Sequence, residues 1–223
     1  MALTRRQALA TGIASMVASA APALYAQTYP SGVIKFIIPT PPGGGHDTMM
    51  RLIGQKLSDS LGQPCVVESR PGGSGSIAAQ TVSQAAPDGH TFLVGYSALL
   101  SNTVLMPKTS YRLEDLAPVN MLALTPIALG ISETLAASTL QHYVAIAKTR
   151  PGKLSYGSYG QGSGGHFVGE LFNVAAGLDT LHVPYKGEAP ALLDLLAGQV
   201  QAGFTSIGGG KRYPGEVRPL GVA

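Results

Sequence analysis

Apolar positions along the chain fall in short runs separated by glycine, proline and polar clusters, and the runs alternate between two spacings. A near-continuous run at 33–38 reads as a buried strand, and 48–61 carries Met49, Leu52, Ile53 and Leu57 at helical spacing until Gly62 ends it. The unit then repeats, with a strand at 64–68, a loop at 70–75, a helix over 77–84 stopped ahead of Pro87-Asp88-Gly89, and a third strand at 91–95. Each strand runs into a glycine- or serine-rich loop, at Gly43, Gly72 and Gly95, as a doubly wound parallel sheet requires.

From 116 to 131 the pattern becomes one long apolar stretch interrupted by Pro126, which reads as a crossover into a second lobe. The strand–helix rhythm then resumes: a helix over 140–149, a strand at 154–157, a loop at 160–165 and a helix over 166–176. After these come a strand at 181–185, a helix over 190–197, a strand at 200–204 and the beginning of another strand at 219–223. Ligands of open α/β sheets bind outside the carboxyl ends of the strands, so two lobes with glycine-rich strand ends predict a shared binding cleft.

The sharpest local signal is Pro41-Pro42-Gly43-Gly44-Gly45-His46-Asp47, where a strand passes through three glycines into a helix. Without Cβ atoms a ligand can approach the main chain closely, and the first N–H groups of the helix point outward at the positive end of its dipole. A carboxylate fits such a cradle without an arginine. A nucleotide-binding P-loop would need Gly-Lys-Ser/Thr here, and His46-Asp47-Thr48 follows the glycines instead. The plainer reading is a glycine-rich turn with Asp47 capping the helix, which accounts for Asp47 but less well for three consecutive glycines.

Composition narrows the class. Residues 1–26 have a basic start at Arg5-Arg6, an alanine-rich apolar middle and small residues ahead of Gln27, the pattern of an export leader and not a membrane span. Thr4-Arg5-Arg6-Gln7-Ala8-Leu9 resembles a twin-arginine motif with Sec export also open, and cuts after Ala20, Ala23 or Ala26 all deliver the chain to the bacterial periplasm. Loss of the two leader arginines leaves 13 basic against 12 acidic residues, and no basic run is interleaved with aromatics, so nucleic acid is not an expected partner. Cys65, the only cysteine, lies in an apolar run and reads as a buried structural thiol.

The search for catalytic parts returns little. Ser163 and His166 are three residues apart at a helix start, without a third partner and outside any Gly-x-Ser-x-Gly elbow, so His166 reads as a helix-start or packing residue. The five histidines form no metal-binding spacing, which predicts neither metal nor cofactor. Asp47, Glu170 and Asp194 read as caps or solvated helix faces, and Lys186, just past a strand end, as an anion contact or a surface ion pair.

Taken together, Tyr29-Pro30, the segment from Pro39 to Asp47, Glu68-Ser69-Arg70-Pro71-Gly72, Ala86-Pro87-Asp88-Gly89, Arg150-Pro151-Gly152-Lys153-Leu154, Gly169-Glu170-Leu171-Phe172 and His182-Val183-Pro184-Tyr185-Lys186-Gly187 resemble the Bug-type periplasmic receptors of tripartite tricarboxylate transporters. The resemblance implies a two-lobed α/β type II periplasmic binding protein fold closing on a small organic carboxylate. The solute carboxylate would be held through main-chain amides and bridging waters in the first glycine-rich loop, formed by Pro41, Pro42, Gly43, Gly44, Gly45, His46 and Asp47. Facing contacts would come from Ser97, Gly160, Gly162, Ser163, Gly164, Gly165, His166 and Thr205. Membrane transporter subunits are the implied partners, a monomer the implied state, and a membrane sensor the alternative recipient; a serine hydrolase using Ser163 and His166 is the competing class.

Two departures bear on the ligand. Gly164-Gly165 stand where hydroxyl side chains are frequent in the family, and Thr205 stands near a frequent aspartate, so plain carboxylates are expected over amino acids. The implied organisation is a leader at 1–26, a first lobe at 27–120, a second at 121–216, and the start of a strand returning toward the first lobe at 217–223. On this pattern the chain is expected to be incomplete at its C-terminus, with poor solubility and weak or absent ligand binding.

Overall fold

The computed structural model describes residues 28–106, 108–210, 213 and 217–222; the expected leader lies outside them. The chain divides between Ser31 and Gly32, and the sheets, helices and cleft of the described residues all belong to the unit Gly32–Ala223. No helix among the described residues is long and apolar enough to cross a membrane.

The first sheet has three parallel strands in the order β2-β1-β3, with β1 at Ile34–Ile38, β2 at Cys65–Ser69 and β3 at Thr91–Leu93. Ile34, Ile37 and Ile38 are buried on the central strand. Helix α1, Gly45–Leu61, lays Met50 on Ile38 and Val94, with Met49 and Ile53 at the margin, and ends where Gly62 takes a left-handed conformation. Helix α2, Ser76–Ser83, follows a single 3-10 turn at Gly73–Gly75.

Helix α3, Ala98–Leu105, was not legible as a helix in the sequence. It sets Leu99 against Ala79 and Tyr111, and the Tyr111 hydroxyl donates to the Leu99 carbonyl at 2.5 Å. The apolar stretch expected as a crossover has no regular structure over 117–126, where Val119, Met121 and Leu124 are exposed, and leads into β4, Ile127–Ser132.

The second sheet has five strands in the order β6-β5-β7-β4-β8, with β5 at Ser155–Ser158, β6 at Leu181–Pro184, β7 at Ala202–Ser206 and β8 at Val217–Val222. Strand β5 runs parallel to β6 and β7, whereas β4 is antiparallel to β7 and β8, so this sheet is mixed. The last strand, expected to head for the first lobe, is paired from Val217 to Val222 with β4, at the edge of the second sheet.

Helices α4, Leu140–Lys148, α5, Gly164–Ala176, and α6, Glu188–Leu196, cover this sheet, and a short α7, Ile207–Gly210, follows β7. Helix α5 sits unusually close to the strands. A Cβ at Gly169 would fall 2.3 Å from the Tyr156 ring, and one at Gly165 would fall 2.3 Å from the Phe204 carbonyl oxygen. Tyr143, Tyr156, Ile131 and Phe204 fill the core beneath.

Candidate functional site

The strand-to-helix loop from Pro41 to Asp47 is shaped by its own acidic residue. Asp47 is turned back so that Oδ2 accepts the Gly43 N–H at 3.0 Å and Oδ1 accepts from Arg51 Nε at 2.9 Å. The hydrogen bond from Arg51 outweighs burial and holds the Asp47 carboxyl below its usual range. Gly43, at φ +84°, makes the turn, and Gly44 enters α1 in an extended conformation with no side chain capping the helix. Thr48 donates its N–H to the Gly44 carbonyl at 3.0 Å; the amides of Gly45, His46 and Asp47 have no acceptor among the described residues. Beside them the Thr40 hydroxyl is buried without a hydrogen-bond partner among those residues.

The loop from Gly160 to His166 is built the other way. Ser163, fully buried, caps α5 by accepting the His166 N–H at 3.3 Å. His166 Nδ1 accepts the Gly162 N–H at 3.1 Å, and the Tyr159 hydroxyl accepts the Gly165 N–H. The Ser163 hydroxyl thus meets the main chain of His166 and not its ring, so Ser163 and His166 do not form a nucleophile–base pair. His166 stacks on His182 with ring centroids 4.0 Å apart, and His182 Nε2 lies 2.7 Å from Ser158 Oγ. Burial, aided by the neighbouring His166, pushes the His182 pKa down to about 4. Among the described residues no group of three or more His, Cys, Asp or Glu side chains could hold a metal ion.

The loop at 160–166 faces Ser74, Tyr96 and helix α3 of the first-sheet region across a cleft. Ser101 Oγ donates to the Gly162 carbonyl at 2.5 Å, and a Cβ at Gly160 would lie 3.5 Å from Ser74 Oγ and 3.6 Å from the Tyr96 hydroxyl. His46, Tyr96 and Tyr159 form an aromatic row along the cleft, with centroids 5.5 Å and 6.3 Å apart. The row borders a cavity of about 220 Å³ walled by Pro39, Gly72–Gly75, Tyr96, Tyr159, Gln161 and Pro184–Lys186. Lys186 is the one charged residue of that wall. Burial raises both phenol pKa values, so Tyr96 and Tyr159 present neutral O–H groups at physiological pH.

Of the residues singled out in the sequence, Gly160 borders this wall, and Ser97 reaches toward Gly164, where an added Cβ would lie 3.7 Å from Ser97 Oγ. Pro41, Gly44 and Gly45 instead face Gly187 and Glu188, or their own loop. Thr205 is buried within β7, opposite Ala128. Tyr96, Tyr159, Gln161 and Glu188 went unnoticed. Tyr96 and Tyr159 each follow the last residue of a strand-end segment, and that position was the available signal.

The model of a tripartite tricarboxylate transporter family receptor matches residues 49–223. Protein BugT of Bordetella pertussis is 40% identical over 93% of this chain and 64% of its own length. Among solved structures, a Rhodopseudomonas palustris protein with adipate is 33% identical at a TM-score of 0.80, covering 87% of this chain and 66% of its own. MatC of the same organism, with bound malate, is 31% identical at 0.80, covering 87% and 68%. The chain spans about two thirds of the length of the relatives it matches.

Proposed function

This chain belongs to the tripartite tricarboxylate transporter receptor family, and from that premise we propose that it binds a small organic carboxylate in the periplasm for delivery to membrane transporter subunits. Residues 27–120 and 121–216 act as the two lobes that close on the solute, and the receptor works as a monomer.

The observation that carries the reading is the cleft wall: two neutral phenols, Gln161 and Lys186 converge on a cavity of about 220 Å³ with no carboxylate in its lining. That volume is below the roughly 300–1,000 Å³ of pockets for drug-sized ligands, so the solute has few carbons. The open amides of Gly45, His46 and Asp47 supply a second anchor at a helix N-terminus. Hydrogen bonds to a charged partner contribute about 1.5–3 kcal/mol each, and micromolar affinity needs about 8 kcal/mol, so three or four such contacts with lobe closure suffice. Adipate and malate in the cited relatives are solutes of this class.

Titration calorimetry of the chain with adipate, malate and a panel of mono-, di- and tricarboxylates tests the proposal. Saturable one-site binding without turnover is expected. Absence of binding across the panel contradicts it.

A further inference from the structure

We propose that Glu188, which lies outside the cavity wall and beside the first glycine loop, is a specificity-determining residue, selecting carboxylates that carry a hydrogen-bond donor, a hydroxyl or an ammonium, beside the carboxylate held at that loop. This rests on the carboxylate reading above and narrows it to hydroxy and amino acids.

Glu188 is the first residue of α6, and three contacts fix its position. Its Oε1 accepts the Ser206 N–H at 2.5 Å. Its carboxylate lies flat on Gly209, where a Cβ would fall 2.6–2.8 Å from the carboxyl atoms, so only glycine leaves the carboxylate this room. The preceding Gly187, at φ +130°, presses against the first loop, a Cβ there falling 2.9 Å from Pro41 Cδ and 3.3 Å from Thr40 Cβ. Held this way, Glu188 turns Oε2 toward Gly45, 3.6 Å from the position of a Cβ on that residue. No described residue donates a hydrogen bond to Oε2. The charge also reaches Tyr159, whose phenol pKa it helps to raise.

A solute carboxylate at the amides of Gly45, His46 and Asp47 therefore arrives beside a fixed like charge. Two carboxylates in contact repel unless a donor lies between them. A hydroxyl or ammonium on the carbon next to the solute carboxylate supplies that donor and occupies Oε2, whereas a plain dicarboxylate leaves the repulsion in place. Absence of an aspartate at Thr205 suggested a cleft without an acidic partner; Glu188 supplies one from a different element.

Calorimetry with succinate, malate and aspartate, which share a four-carbon dicarboxylate frame and differ in the substituent, reads the selection directly. Wild-type protein is expected to bind malate or aspartate on the order of tenfold or more tightly than succinate, since a site with a polar group to satisfy rejects the analogue that lacks the partner. Glu188→Gln keeps an acceptor for Ser206, removes the charge, and is expected to bring succinate within about twofold of the better ligand, also at high salt, where long-range repulsion is screened. Which of malate and aspartate binds identifies hydroxyl or ammonium as the donor. Equal affinity of wild-type protein for all three, or an unchanged ranking in the variant, overturns the role of Glu188 and leaves carboxylate binding standing. Failure of wild-type protein to bind any carboxylate overturns the carboxylate reading itself.

Discussion

The two glycine-rich loops look alike in sequence and are opposites in hydrogen bonding. In the loop at 160–166 a serine, a histidine and a tyrosine take up the main-chain N–H groups of His166, Gly162 and Gly165, so the donors of Gly165 and His166 in the first turn of α5 are occupied. In the loop at 41–47 the single acidic side chain serves the turn at Gly43, and the first amides of α1 remain open among the described residues. The glycines differ in purpose accordingly. Gly165 is glycine because the backbone of β7 leaves no room for a methyl group, whereas Gly44 has no atom closer than 3.7 Å to an added Cβ. Glycine content marks close approach; the fate of the N–H groups separates approach by the protein itself from approach by a ligand.

The largest effect expected from this contrast is on folding. Gly165→Ala drives a Cβ onto a carbonyl oxygen that cannot yield, and a loss of about 3 kcal/mol, measured by denaturant unfolding, is expected from such overpacking. Gly44→Val should do the reverse, leaving the melting transition almost unchanged because its extended backbone suits any residue. The side chain would stand over the open amides, and carboxylate affinity should fall on the order of a hundredfold, about 2.7 kcal/mol. A stable Gly165→Ala protein, or a Gly44→Val protein with wild-type affinity, breaks the comparison.

Acid should act through His182 on β6, which stacks on His166 of the second loop. The folded pKa of His182, about 4, lies below its ordinary value near 6.5, so between these values the unfolded chain binds more protons than the folded one. Its contribution to stability is complete above about pH 6.5, declines as pH falls through this window, and is fully lost below about pH 4. Melting temperatures recorded from pH 7 to pH 4 should fall in wild-type protein, with a shallower decline in His182→Asn. An identical slope in both proteins would assign the acid sensitivity elsewhere. The smallest effect is that of Ser163→Ala, which removes the cap of α5 and should cost about 1 kcal/mol, with ligand selectivity unchanged.

Much of this was legible because it is local. Alternation of apolar runs with Met49, Leu52, Ile53 and Leu57 at helical spacing identified the first strand–helix unit, and the glycines after each strand marked the cleft side of the sheet. What escaped depends on partners distant in the chain. Strand β4 is antiparallel to its neighbours, and no feature of Ile127–Ser132 encodes direction; pairing with β7 and β8 decides it. Helix α3 was missed because Leu100 and Val104 face solvent, so its apolar residues trace no single face. Glu188 reads as an ordinary acidic residue in the first turn of a helix, and only the contacts of Gly187 with Pro41 and Thr40 carry it to the first glycine loop.

The central proposal, that open amides of the first loop receive the solute, is tested most directly by backbone amide resonances followed by NMR as carboxylate is added. The account predicts saturable shifts and slowed hydrogen exchange at Gly45, His46 and Asp47, with the amides of Gly162, Gly165 and His166 nearly unchanged because their acceptors are already in place. Protection confined to Gly162–His166, with the first-loop amides unaffected, would contradict it.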